Sequence, residues 1–284
     1  MKVDRGIYIG GYRMAHCVLG LHFDSYIENL GQTYVVTNIS EHHYRETFPK
    51  YDLDWNKFTY VNDQELFDAY PEILHWDMPG DYRGTWLRQQ ALKIASLDYF
   101  NYDDAFMIQD PDTFCIQPYC PVSDDGVPNY FILPGETHGT AYYEAIVNSL
   151  GIERQTKHSF VSEFMPFLRE DWQTMRELLE TRNNKHFLDA IIDNCPREQD
   201  ERQLIWFSEY ELLANYVMTQ REIKMTEQKR FAVRDVKNLD GLNSVDWNCY
   251  VDACPNLDDS ILFNFSSNTV KDFEEILLDI KSRI

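Results

Sequence analysis

The chain has 284 residues, with 26 Lys and Arg against 47 Asp and Glu, giving a formal net charge of −21. That balance excludes a protein working by unspecific attraction to phosphate backbones or anionic membranes, because such binding runs on clustered cations; partners are expected to be neutral, cationic or bridged by a metal. A hydrophobic share of 44% lets the chain bury a large core and excludes an intrinsically disordered segment.

The first ten residues lack the apolar stretch of a signal peptide, and no run approaches the roughly 18 apolar residues of a membrane span, so a cytoplasmic location is expected. Residues 6–9 read as a short strand, followed by Gly10-Gly11-Tyr12-Arg13, where the backbone could approach a nucleotide with Tyr12 stacking and Arg13 pairing a phosphate. A plain turn accounts for these four residues equally well. Residues 14–29 read as a helix ending near Gly31, and residues 33–37 and 58–61 as strands, a βαβ rhythm that favours a mostly parallel sheet covered by helices. Asp52 and Asp54 fall in a polar loop and read as surface charge, as do His42 and His43.

Residues 85–99 have helical period, with Leu87, Ala91, Ile94 and Ala95 on one side. Trp86, Gln89, Gln90, Lys93 and Ser96 gather on the other, while Arg88 sits at the boundary and reads as a packing or ion-pair residue. Gln89 and Lys93, one turn apart, could address phosphate or ribose, or simply form a solvated helix face. Residues 105–109 form a buried-strand pattern that leads directly into Asp110-Pro-Asp112. Acids at a strand's carboxyl end lie where ligands bind in open α/β sheets, and two carboxylates on a turn can hold a hard divalent cation, Mn²⁺ or Mg²⁺, that neutralises a diphosphate.

Residues 130–133 read as a further strand and 140–150 as a helix closed by Gly151. The remainder turns mostly helical, over 169–181, 185–194, 207–218 and 270–283, with strand-like segments at 230–233 and 261–265. No linker divides the chain, so a single domain is expected, residues 1–135 forming a nucleotide-sugar half and 136–284 a largely helical acceptor half. The six cysteines, Cys17, Cys115, Cys120, Cys195, Cys249 and Cys254, form no CxxC pair, and free thiols are expected.

The Asp-x-Asp after an apolar strand, the preceding Trp86-Leu-Arg-Gln-Gln-Ala-Leu-Lys93 and the following Phe114-x-Ile-x-Pro118 together resemble metal-dependent glycosyltransferases of GT-A fold. The likeness is greatest to bacterial and phage members that also carry segments like His158-Ser-Phe-Val-Ser-Glu-Phe-Met-Pro-Phe167 and Ser208-Glu-Tyr-Glu-Leu-Leu-Ala-Asn-Tyr216. It implies a GT-A-like, Rossmann-like fold in which Asp110 and Asp112 hold Mn²⁺ or Mg²⁺ on the diphosphate of a UDP- or GDP-type donor. Many members add a late histidine to the metal, whereas this chain has none after His186.

Glycosyl transfer develops positive charge at the anomeric carbon and negative charge on the departing diphosphate, and inversion needs a carboxylate base for the acceptor hydroxyl. Glu209, at the start of a helix, is the expected catalytic base, with Glu211 its substitute; helix capping explains the same acids. His158, Glu163, Trp206 and Tyr210 are the expected acceptor contacts. The acceptor would be a glycan, lipid-linked sugar or protein, with a modified nucleobase less compatible with the charge. The sequence leaves two other classes open: a metal-dependent nucleotidyltransferase or pyrophosphatase, and a non-catalytic carbohydrate-binding protein.

Overall fold

A computed structural model describes residues 1–9, 21, 23–47, 55–76, 84–135, 140–196, 207–228, 230–233 and 262–265. Gly10, Tyr12, Arg13, Asp52, Asp54, Trp206 and the 270–283 helix lie outside the described residues, as does most of the 14–29 helix. Three strands begin the chain: β1 (Val3–Ile9), β2 (Leu30–Thr37) and β3 (Phe58–Asn62). They join β4 (Ala105–Gln109) and β7 (Phe164–Leu168) in a sheet of order β3-β2-β1-β4-β7. All neighbours are parallel except β4 and β7.

The apolar runs of these strands follow from burial on both faces. Along β4, Phe106 and Ile108 enter one hydrophobic cluster with the helices, while Ala105 and Met107 enter a second cluster with Val3, Phe131 and Phe164. The Gly84–Tyr99 helix packs against β1, the Pro71–Trp76 turn and the Glu209–Gln220 helix. It is therefore covered on both of its sides: Leu87 and Ala91 are buried, and so are Gln90, Lys93 and Ser96 on its polar side. That polar side faces the interior rather than water.

Two small sheets complete the described strands. β5 (Thr113–Cys115) pairs antiparallel with β10 (Leu262–Phe265), which pairs parallel with β9 (Arg230–Val233). β6 (Asn129–Ile132) pairs with β8 (Lys224–Glu227). Since β7 and β10 pair with β4 and β5, the expected donor and acceptor halves share their sheets.

One expectation is corrected by the described residues. The C-terminal end of the 14–29 helix is a short 3₁₀ turn, Asp24–Tyr26, and Asn29 takes a positive φ of 56° before β2. Gly31 consequently lies inside β2 rather than at a helix end. The Phe164–Leu168 segment, to which the sequence assigned no element, is an edge strand of the main sheet. By contrast, the Thr140–Leu150 helix ends as expected, with Gly151 at φ +72° and its N–H donating to the Val147 carbonyl at 2.8 Å.

Candidate functional site

The strand order reverses between β2-β1 and β4, and the crevice beyond the carboxyl ends of β1 and β4 is where open α/β sheets receive ligands. Asp110 leaves β4 at that point. Its N–H donates to the Glu163 carbonyl at 2.9 Å, and its own carbonyl accepts from Thr113 N at 3.4 Å, closing the Asp110-Pro111-Asp112 turn. Gln109 Nε2 braces the turn from the strand side by donating to the Thr113 carbonyl at 2.5 Å. Thr113 Oγ1 donates to Glu163 Oε2 at 2.6 Å.

The turn is also tied to the opposite side of the sheet. Arg5, in β1, is fully buried and donates to both carboxylate oxygens of Asp24 at 2.7 Å, to Thr33 Oγ1 at 2.8 Å and to Gln109 Oε1 at 3.2 Å. A bidentate partner is what makes a buried guanidinium tolerable inside the sheet.

From the helix side, Lys93 reaches the turn. Its ammonium lies 2.6 Å from Asp110 Oδ1 and 2.6 Å from Glu209 Oε1. It also donates to the Tyr210 hydroxyl at 3.3 Å and stands 4.7 Å over that ring. With its side-chain amide assigned so that the nitrogen faces Glu209, Gln90 donates to that carboxylate and accepts from Trp86 Nε1 at 3.1 Å. Burial by itself pulls the Lys93 pKa down, but the charges and hydrogen bonds of Asp110 and Glu209 outweigh it and the net shift is upward. Burial raises Glu209, Lys93 opposes that rise, and the Asp110 charge adds to it. Tyr210 is raised well above the ordinary phenol value by burial and then by the charges of Asp110, Glu209, Glu163 and Asp112. Two carboxylates thus meet one ammonium, and the charges of four act on one phenol.

Of the residues expected from sequence, Asp110, Asp112, Lys93, Glu163, Glu209 and Tyr210 come together here. Their roles are not all as expected. Glu209 is 1% exposed and both of its oxygens are engaged, so it presents no open face to an acceptor hydroxyl. Tyr210 is 2% exposed, and its ring lies under Lys93 rather than open to a sugar. Glu211 is no substitute base, because Ser159 Oγ and Phe160 N both donate to it at 2.9 Å and it is fully buried. Gln89 donates to the Tyr8 carbonyl at 2.9 Å, which fastens the helix to β1 instead of addressing a donor. His158 is half-buried, its N–H on Thr156 Oγ1 at 3.3 Å, outside the Asp110 cluster. Arg88 acts electrostatically on Asp63.

Sequence reasoning missed Gln90, which secures Glu209, and Arg5 and Asp24, which secure the turn. A charged residue inside the apolar β1 pattern was the visible signal for Arg5. The carboxylate turn fits a hard cation of the Mg²⁺ or Mn²⁺ type in its donor chemistry. Among the described residues no three His, Cys, Asp or Glu side chains gather as a metal-holding group. Such ions are commonly held by one or two carboxylates, with phosphate oxygens and water completing the shell, and Asp110 and Asp112 are two carboxylates on one turn.

Among the described residues no helix is long and apolar enough to cross a membrane. No family model matches the chain, and no curated protein does. Among solved structures it is similar to the galactosyltransferase LgtC in complex with donor and acceptor sugar analogs, with a TM-score of 0.50 at 11% identity over 98% of this chain and 95% of that one. An active-site mutant of LgtC gives 0.48 at 11% over the same shares. Mouse xyloside xylosyltransferase 1, in its apo form, gives 0.47 at 9% over 93% of this chain and 96% of that one. At these identities the likeness concerns architecture: the chain has a GT-A-like α/β fold with a mostly parallel central sheet flanked by helices.

Proposed function

We propose that the protein is a glycosyltransferase, moving a hexose or pentose from a UDP- or GDP-type nucleotide sugar to an acceptor hydroxyl. One observation carries this reading: Asp110 and Asp112 stand on a braced turn at the carboxyl end of β4, at the strand-order reversal of a GT-A-like sheet. In this reading Asp110 and Asp112 hold Mn²⁺ or Mg²⁺ together with the donor diphosphate. When bound, the cation supplies charge neutralisation for the departing diphosphate. Lys93 orients Asp110 from beneath.

Glu163 is the acceptor-side carboxylate in this reading. It is half-buried beside Asp110, and it holds a positive φ of 60°, a conformation rare for a non-glycine residue and concentrated at functional sites. The support for acceptor use is its position, next to the carboxylate turn yet off the Lys93 pair. Residues 1–135 form the donor side and 136–284 the acceptor side of one domain. Gly10, Tyr12 and Arg13, which come directly after β1 in the sequence, remain the proposed donor contacts, and Trp206 and His158 proposed acceptor contacts. A glycan, lipid-linked sugar or protein is the acceptor class; a modified nucleobase in DNA fits poorly with a net charge of −21.

Thermal stabilisation by UDP and GDP, with and without Mn²⁺, tests the reading. A metal-dependent gain followed by metal-dependent hydrolysis of one sugar nucleotide in a panel is the expected result. Stabilisation by free sugar alone would indicate a carbohydrate-binding protein, and pyrophosphate release with no sugar transfer a nucleotidyltransferase or pyrophosphatase.

A further inference from the structure

One ammonium between two carboxylates is more than the anchoring of a helix requires. Lys93 is fully buried, Glu209 is its inner partner with a side chain 2% exposed, and Asp110 is its outer partner with a side chain 16% exposed. Glu209 is the more enclosed of the two carboxylates: Lys93 donates to it at 2.6 Å, and Gln90 packs beside it. Buried charges persist only when paired, so the inner carboxylate must draw the ammonium toward itself. The three formal charges sum to −1. Without the Glu209 charge, Lys93 would cancel Asp110; with it, the ammonium is shared and the outer carboxylate keeps a net attraction for cations.

We infer that Glu209 is a positioning residue that holds Lys93 at a fixed distance from Asp110 and keeps the Asp110–Asp112 turn electronegative toward the divalent cation of the donor. The inference rests on the proposed use of those two aspartates. It replaces an acid–base role for Glu209 with an electrostatic one: the carboxylate acts through Lys93 and touches neither donor nor acceptor. The other groups around the ammonium are consistent with it. The Tyr210 hydroxyl is held at 3.3 Å, and the charges of Asp112 and Glu163 act on that phenol. Removing one negative charge a few ångströms from a divalent ion weakens its binding by about tenfold or more at protein-like dielectric.

The test is titration of the full chain with Mn²⁺ alone, the free ion being followed by electron paramagnetic resonance. Glu209→Gln should bind Mn²⁺ about tenfold or more weakly than wild type. The double variant Lys93→Met with Glu209→Gln restores the net charge of −1 around Asp110 and should return to within about threefold of wild type. A structural role would not produce that restoration. Replacing both buried charges together also keeps the core paired, so the double variant reports even where the single one does not fold. Equal Mn²⁺ affinity in wild type and Glu209→Gln overturns the inference, and so does a double variant weakened as much as the single one. Glu209→Gln that binds Mn²⁺ normally but loses transfer returns Glu209 to proton transfer. Wild type and Asp112→Asn that are alike in failing to bind Mn²⁺ overturn the cation reading of the aspartates, and the inference with it.

Discussion

Asp110 and Glu163 are joined through the backbone: the Asp110 N–H donates to the Glu163 carbonyl at 2.9 Å, while Glu163 itself is held at φ +60°. The bond continues the β4–β7 ladder one step past Gln109 and Phe164, so the two carboxylates enter the crevice from adjacent strands. A strand pair, rather than a loop, thus sets the spacing between the proposed donor and acceptor sides.

Asp112→Asn should leave the thermal transition of the protein unchanged within a few degrees. Metal-dependent hydrolysis of the donor should fall about 10²-fold or more, equivalent to roughly 3 kcal/mol at the transition state. Hydrolysis at the wild-type rate would remove Asp112 from the cation site.

Glu163→Gln separates the two halves of the reaction. UDP binding in the presence of Mn²⁺ should match wild type, while transfer to an acceptor falls about 10²-fold or more if the carboxylate takes the acceptor proton. Steady-state rates with saturating donor and varied acceptor measure this directly. A variant with full transfer would leave Glu163 as the structural partner of Thr113.

Lys93→Met alone strands Glu209 in the interior. Breaking a buried ion pair by removing one partner typically costs about 3–5 kcal/mol, and urea denaturation should show a loss of that order. Adding Glu209→Gln to it should recover most of the loss, since no uncompensated inner charge then remains.

Stability should also carry a pH signature away from the site. Asp171 is buried beside Arg221, with ion-pair distances of 3.0 and 2.9 Å, yet burial lifts its pKa to about 6 against the pull of Arg221. Between about pH 4 and 6 the unfolded chain has released this proton while the folded protein retains it. The Asp171 contribution is therefore full at the acid end of that window and is lost as pH rises through it. Denaturation midpoints should show a smaller fall over that range in Asp171→Asn than in wild type.

Much of the sheet was legible from local pattern. β4 is buried on both faces and so reads as an unbroken apolar run, and the Gly84–Tyr99 helix shows its period plainly. The partner of that helix's polar face was not legible, because the Glu209–Gln220 helix that covers it lies far along the chain and periodicity reports two faces without saying what meets them. Lys93 was for that reason equally readable as a surface residue. β7 escaped notice for a different cause: Pro166 cannot donate to a ladder and argues against a strand, yet at the sheet edge opposite Met107 it costs no needed hydrogen bond. The carboxylate turn was the clearest part of the site, while the enclosure of Glu209 depended on long-range packing.

The guanidinium of Arg5 also acts as a register lock during folding. Side chains alternate across a strand, so sliding β1 by a single residue would carry Arg5 to the helix-covered face beside Phe106 and Ile108, away from Asp24, Thr33 and Gln109. Asp4, which accepts from Gln32 N at 2.8 Å, would lose its partner in the same slip. The charge makes each misaligned pairing costly before the rest of the sheet has formed.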